Sequence, residues 1–360
     1  EALEYSHQRI DVRVRNTSAM TLSFFAAMGL VLLFGGRQVA AGEITVGTLA
    51  TFLTFMTILQ MPVRQLGLMV NGYARASTCG ARLFQLMDTP VEIDDSPGAR
   101  ELEITEGILR LDNVGFAYQG PVARPVVSGI SFEARRGETI GILGAPGAGK
   151  TSLMQLLPRF YDVTEGAITI DGQDIREVTL DSVRQSVAIV QQDSFLFTTT
   201  IENNIAYASP FTDDRRIRGV ADSAQLHDYV LGLPHQYSTV VGERGVSLSG
   251  GQRQRLSIAR TLMTQPAVLI FDDSTAAIDA GTESRIRAAL RDYAKDRVTL
   301  IVAHRLASIR NADRILFMEG GQIVERGTHE ELMALGGRYK ALHDLQMTPE
   351  DDVLRTEAAR

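Results

Sequence analysis

The 360-residue chain predicts two architectures in series: an α-helical transmembrane hairpin, then an α/β domain whose parallel sheet carries a phosphate-binding loop. Three observations carry this. Residues 16–36 and 44–63 contain no charged side chain. The pattern GxxxxGK[ST] stands at Gly144–Thr151, between a short apolar strand and a helical stretch. Two later apolar stretches, Val268–Phe271 and Val298–Ala303, run into an acid pair and a histidine.

A bilayer core of about 30 Å takes roughly 20 apolar residues as a helix. The runs at 16–36 and 44–63 each supply that length. A pair of buried soluble helices is the weaker reading, because both runs are charge-free and flanked by charges. Arg9, Arg13 and Arg15 precede the first run, and Arg64, Arg75 and Arg82 follow the second. The connection holds only Arg37 and Glu43. The positive-inside rule therefore places both outer flanks, and the domain that follows, in the cytoplasm. Gln60 and Arg64 interrupt the apolar pattern of the second helix. Arg64 reads as a snorkelling side chain. Gln60 fits a polar substrate path and an interhelical hydrogen bond equally well. Pro62 is a candidate kink.

The expected organisation is 1–87 for the membrane part, 88–104 for a linker rich in Asp, Pro and Gly, 105–345 for the α/β domain and 346–360 for a tail. Net charge is −7 and the pI is near 5.5, which argues against a nucleic-acid partner. The single Cys79 excludes an intrachain disulfide and reads as a packing residue. The chain opens on Glu1 with a helical pattern, which suggests the tail of a longer polypeptide.

The segment Glu138–Gly144 reads as a strand, and Leu153–Phe160 as a helix. Strand, glycine loop and helix form the context that a phosphate loop requires. Gly144, Ala145, Pro146, Gly147, Ala148 and Gly149 would turn backbone N–H groups towards phosphate oxygens. Lys150 would add a point charge, and Thr151 a Mg²⁺ ligand. Ser152 would cap the helix or touch the α-phosphate. These residues predict a P-loop domain that binds a nucleoside triphosphate with Mg²⁺. Asp272 ends a buried strand and is expected to hold the metal. Asp273 would polarise the attacking water. His304, at the end of the next apolar strand, would sense the γ-phosphate.

Between the loop and the acid pair lies Leu248-Ser249-Gly250-Gly251-Gln252. In this order the motifs resemble the nucleotide-binding domain of an ABC transporter of the exporter type. The resemblance covers about residues 108–345, and the first 87 residues look like helices five and six of a half-transporter. It implies that the nucleotide is ATP, that Tyr118 stacks on adenine and that Gln192 is the Q-loop ligand of Mg²⁺. Glu243 would lie in the X-loop. Ser249, Gly250, Gly251 and Gln252 would close over ATP held by a second subunit, and Asp279 would lie in the D-loop. The partners implied are a second half-transporter, the lipid bilayer and a transported small molecule, lipid or peptide. Location in the inner or plasma membrane follows from the same resemblance.

Asp273 departs from the pattern, which usually has Glu. One methylene less moves the carboxylate back by roughly an ångström, and misplacement on that scale costs about 10²-fold. By the same resemblance, this is the weakened-site half of a heterodimer, with a homodimer as the alternative. The expected activity is ATP-driven movement of a hydrophobic or amphipathic substrate. Import of a siderophore-like substrate and a regulatory ATP-binding subunit with little turnover are the other readings. A soluble cassette ATPase would leave the two apolar runs without a purpose.

Overall fold

The computed structural model describes residues 2–120, 124–191, 195–242, 248–272, 293–303 and 305–347. Gln192, Glu243, Asp273, Asp279 and His304 lie outside the described residues. The chain divides between Val91 and Glu92 into two compact units.

The first unit is a helical hairpin, α1 (Ala2–Ala40) and α2 (Val46–Met87). Ile10–Ala40 and Val46–Val63 are long and apolar enough to cross a membrane. Thr45 starts α2 as its cap, its hydroxyl accepting the N–H of Thr48 at 3.1 Å. Thr21, Thr51, Thr54 and Thr57 donate their hydroxyls to the carbonyl one turn back, so these polar groups are satisfied within their own helices. α1 and α2 approach closely at Gly35, where a Cβ would stand 2.5 Å from a methyl of Leu49. α2 runs unbroken through Pro62. Cys79, expected to pack, is exposed on α2 because the described residues of this two-helix unit provide no layer to cover it.

The second unit holds two sheets. An antiparallel sheet has the order β2-β1-β4-β5, with β1 Leu109–Ala117, β2 Pro125–Ala134, β4 Glu165–Ile170 and β5 Gln173–Asp174. The larger sheet has the order β10-β9-β3-β8-β7-β6. Its members are β3 Thr139–Gly144, β6 Val187–Val190, β7 Val268–Asp272, β8 Val298–Val302, β9 Arg314–Glu319 and β10 Gln322–Gly327. All neighbours are parallel except β9 and β10.

Strand alternation splits the core. Val268 and Ile270 face one cluster, shared with Ile140, Ile142, the antiparallel sheet and the helix α3 (Lys150–Leu156). Leu269 and Phe271 face the other cluster, shared with the helix Gly250–Met263. The continuous apolar runs noted in the sequence are therefore strands covered on both faces.

The segment expected to be a linker is bound into this unit from Asp95 onward. Leu180 N–H donates to Asp95 Oδ1 (2.7 Å), Ser96 Oγ donates to the Arg176 carbonyl (2.8 Å) and Leu102 N–H donates to Ser182 Oγ (2.9 Å). Leu102 itself is buried. Asp95, one of the aspartates that suggest a linker, supplies a side-chain acceptor to the second unit. Asp171 fastens the end of this segment. Its carboxylate accepts N–H groups from Thr105 (2.7 Å), Gly107 (3.1 Å) and Ile108 (2.7 Å). Asp171 and Gly172 both have positive φ, 49° and 77°, as the tight β4–β5 hairpin demands.

Candidate nucleotide-binding site

The parallel strands bring the Gly144 loop and Asp272 to one edge. Ile142 of β3 is in register with Val302 of β8, which is in register with Asp272 of β7. Val190 of β6 pairs with Phe271. The carboxyl ends of β3, β6, β7 and β8 thus lie side by side. The Gly144 loop begins at the end of β3, and Asp272 ends β7. In an open α/β sheet this is the edge at which ligands bind.

The loop from Gly144 to Gly149 has an exposed tip (Ala145, Pro146, Gly147) on a buried base. Gly147 and Gly149 have φ of +81° and +93°. A Cβ at Gly149 would stand 2.6 Å from the carbonyl oxygen of Val126, so the backbone passes here only because the residue is glycine. Lys150 is 5% exposed. Its Nζ donates to the carbonyls of Gly144 (2.7 Å) and Ala145 (3.0 Å), which holds the ammonium under the loop. Gly149 caps α3 without a side-chain bond. A loop of this shape offers converging N–H groups and a fixed cation to an anion.

Thr151 is exposed at the start of α3, and Asp272 is half-buried at the end of β7. Ser152 does not cap α3. Its hydroxyl is buried against the hydroxyl of Tyr118, 3.0 Å away. Tyr118 also donates to Gln155 Oε1 at 3.4 Å. The base platform expected at Tyr118 therefore sits against the helix that follows the phosphate loop. Its ring is edge-on to Phe116 and to Tyr161, with centroids at 4.8 and 5.2 Å. Tyr161 is absent from the sequence-based set. It lies 43 residues from Tyr118 in sequence, and no periodicity links the two.

The Leu248–Gln252 motif forms the start of the helix Gly250–Met263. Ser249 Oγ accepts the N–H of Gln252 (3.3 Å), and Gln252 Oε1 accepts the N–H of Ser249 (2.8 Å). This capping box leaves the N–H groups of Gly250 and Gly251 in the first turn, where a helix has no carbonyl to offer them. The described contacts do not bring Ser249 and Lys150 together, and the two are built on different core clusters.

Arg260, near the end of the same helix, is another residue that the motifs do not reveal. It donates to Asn204 Oδ1 (2.5 Å), to the Asn204 carbonyl (3.0 Å) and to the Phe195 carbonyl (2.9 Å). It also lies over the rings of Phe197 and Tyr207. Burial pulls its pKa below the ordinary arginine value, and the neighbouring Tyr207 opposes this. The signature helix is thereby fastened to the segment that follows residue 192.

The donor set suits a hard divalent cation bound through substrate. Among the described residues no three His, Cys, Asp or Glu side chains gather into a metal cage. One carboxylate, Asp272, and one hydroxyl, Thr151, beside a phosphate loop match the way Mg²⁺ is held with nucleotide oxygens.

Comparison with known proteins agrees with this geometry. Residues 127–276 match the model of the ABC transporter family. The chain is 40% identical over 351 residues to the ATP-dependent lipid A-core flippase of Syntrophus aciditrophicus, covering 97% of this chain and 58% of that protein. It is 43% identical over 317 residues to a Staphylococcus aureus protein named as a multidrug export ATP-binding/permease, covering 88% and 55% respectively. Among solved structures, a bacterial Atm1-family ABC exporter with ATP bound matches with a TM-score of 0.74 and 37% identity, over 94% of this chain and 60% of that one. The chain thus spans between half and two thirds of the length of these relatives. Two apolar helices followed by an α/β domain that the ABC transporter model matches make this chain similar to ABC exporters over nearly its whole length.

Proposed function

We propose that this chain is the ATP-driven part of an exporter-type half-transporter, coupling ATP binding and hydrolysis to movement of a hydrophobic or amphipathic substrate across a bilayer. The observation that carries the reading is the buried Lys150 ammonium under the Gly144–Gly149 loop, on a chain that also holds two bilayer-length helices. In this reading the N–H groups of Gly144–Lys150 hold the β- and γ-phosphates. Thr151 and Asp272 hold Mg²⁺, with Gln192 as a further ligand. Tyr118 stacks on adenine. Ser249, Gly250, Gly251 and Gln252 meet ATP held by the second subunit, with Asp279 beside that interface. Asp273 activates water and His304 senses the γ-phosphate. Bound Mg²⁺ neutralises charge on the phosphates during transfer. Both helices cross the inner or plasma membrane, and the flanking arginines keep the ATPase domain in the cytoplasm.

The reaction is hydrolysis of ATP to ADP and phosphate. Closure of two cassettes over two ATP molecules supplies the switch, because ATP binds the closed pair better than the open one. Stimulation of phosphate release by amphipathic solutes in nanodiscs tests the reading. Turnover that rises with such a solute and disappears in Lys150→Met supports it. Turnover indifferent to every solute in a panel of phospholipids and cationic dyes favours a regulatory role.

Asp273 supports a second feature, a heterodimer in which this chain's own ATP meets the weaker base. The chain alone then turns ATP over slowly, and Asp273→Glu raises the rate by up to about 10²-fold. Fast turnover by the lone chain that Asp273→Ala abolishes would favour a homodimer.

A further inference from the structure

We infer that Tyr161 is a positioning residue for nucleobase recognition: it presets the Tyr118 ring that receives the adenine. The inference rests on the reading of Tyr118 as the base platform.

Tyr118 stands just beyond β1, where a strand end leaves an aromatic ring free to swing. It is instead held at three points. Its hydroxyl meets Ser152 Oγ at 3.0 Å. Its ring stands at 77° to Phe116 and at 88° to Tyr161. Phe116 and Tyr161 also touch each other, with centroids 5.4 Å apart. Phe116 is buried, whereas Tyr118 and Tyr161 are each 39% exposed. The trio therefore has a fixed base and an open side.

The turn that delivers Tyr161 is built for that placement. Pro158 follows α3, and Arg159 takes a φ of +53°. Buried Arg159 pairs with Asp162 across the turn, Nε to Oδ1 at 2.7 Å. Phe160 N–H returns to the Gln155 carbonyl at 3.0 Å. Tyr161 lies between these anchors. The turn is thus tied to α3 by the same residue, Gln155, that accepts from Tyr118. A turn with positive φ at buried Arg159 that ends in an exposed tyrosine beside the platform is hard to explain by core packing alone.

The physical consequence is preorganisation. A ring already fixed loses little freedom when a base stacks on it, so more of the stacking energy appears as affinity. A perpendicular aromatic pair is worth only a modest amount, which sets the expected effect at roughly three- to tenfold in Kd. The effect applies to the base and not to the phosphates, which the Gly144–Lys150 loop binds through other atoms.

The test measures displacement of a fluorescent ATP analogue from the full chain in nanodiscs, by Mg-ATP and by inorganic tripolyphosphate. Tyr161→Leu should weaken ATP by roughly three- to tenfold and leave tripolyphosphate unchanged. Tyr161→Phe should behave as wild type, because the ring contact remains. Equal weakening of both competitors by Tyr161→Leu would show a structural role and overturn the proposal, as would unchanged ATP affinity. Tyr118→Leu separates the two layers. If it weakens ATP while Tyr161→Leu does not, only the positioning role falls. If Tyr118→Leu has no effect on ATP, the base platform itself is elsewhere and both readings fall.

Discussion

Lys150 Nζ lies 2.7 Å from the carbonyl oxygen of Gly144, so the last part of the phosphate loop is bonded back onto its first residue. The lysine is thus a brace for the loop, and in the proposed function it is also the cation of the site. Removing a preorganised charge that meets developing negative charge costs about 10²–10³ in rate. Lys150→Met should reduce phosphate release by that factor in the reconstituted transporter. A loss under tenfold would show that the charge comes from another residue.

Asp171 predicts an acid-sensitive anchor. Burial raises its pKa, but N–H groups from Ile108, Thr105 and Gly107 outweigh burial and hold it below the ordinary aspartate value. A carboxyl with a lowered folded-state pKa stabilises the fold fully above its unfolded value of about 3.9, and this is lost as pH falls through the folded value. Asp171→Asn keeps a residue that tolerates positive φ while removing the charge. Denaturant melts should show the variant less stable at pH 7, with the difference from wild type shrinking below about pH 4. A gap that is constant between pH 7 and pH 3 would contradict the assignment.

Arg260 predicts an effect on stability. It holds Asn204, which is fully buried, through its side-chain oxygen and its carbonyl. Arg260→Met retains much of the volume but leaves these acceptors with one partner fewer. Hydrogen bonds to charged groups are worth about 1.5–3 kcal/mol, so a loss on that scale is expected in chemical denaturation. Arg260→Lys should recover only part, because one ammonium cannot span the acceptors on Asn204 and Phe195 that three guanidinium nitrogens reach.

The parts legible in the sequence are those that repeat a local pattern. The Gly144–Thr151 loop, the two charge-free helices and the apolar strands at 268 and 298 each satisfy a rule within a short window. The strands also announce their burial on both faces, since Val268–Phe271 contains no polar position. What stayed hidden depends on contacts distant in sequence. Asp95 and Ser96 look like linker residues until Leu180 and Arg176 are brought to them. The capping box that Gln252 closes with Ser249 appears only in the fold. Arg260 reads as one of several arginines on an amphipathic helix, and only the fold supplies Asn204 and Phe195 as its partners. Tyr161 is hidden for the same reason.

The most direct test of the whole account follows the solute itself. Proteoliposomes containing the intact transporter, with cassettes facing outward, are given Mg-ATP and a panel of headgroup-labelled phospholipids and fluorescent amphipathic dyes. At least one probe should move in an ATP-dependent manner into the vesicle lumen or the inner leaflet, and this movement should be lost in Lys150→Met. ATP hydrolysis that proceeds while every probe stays in place, or moves equally in Lys150→Met, would contradict the account.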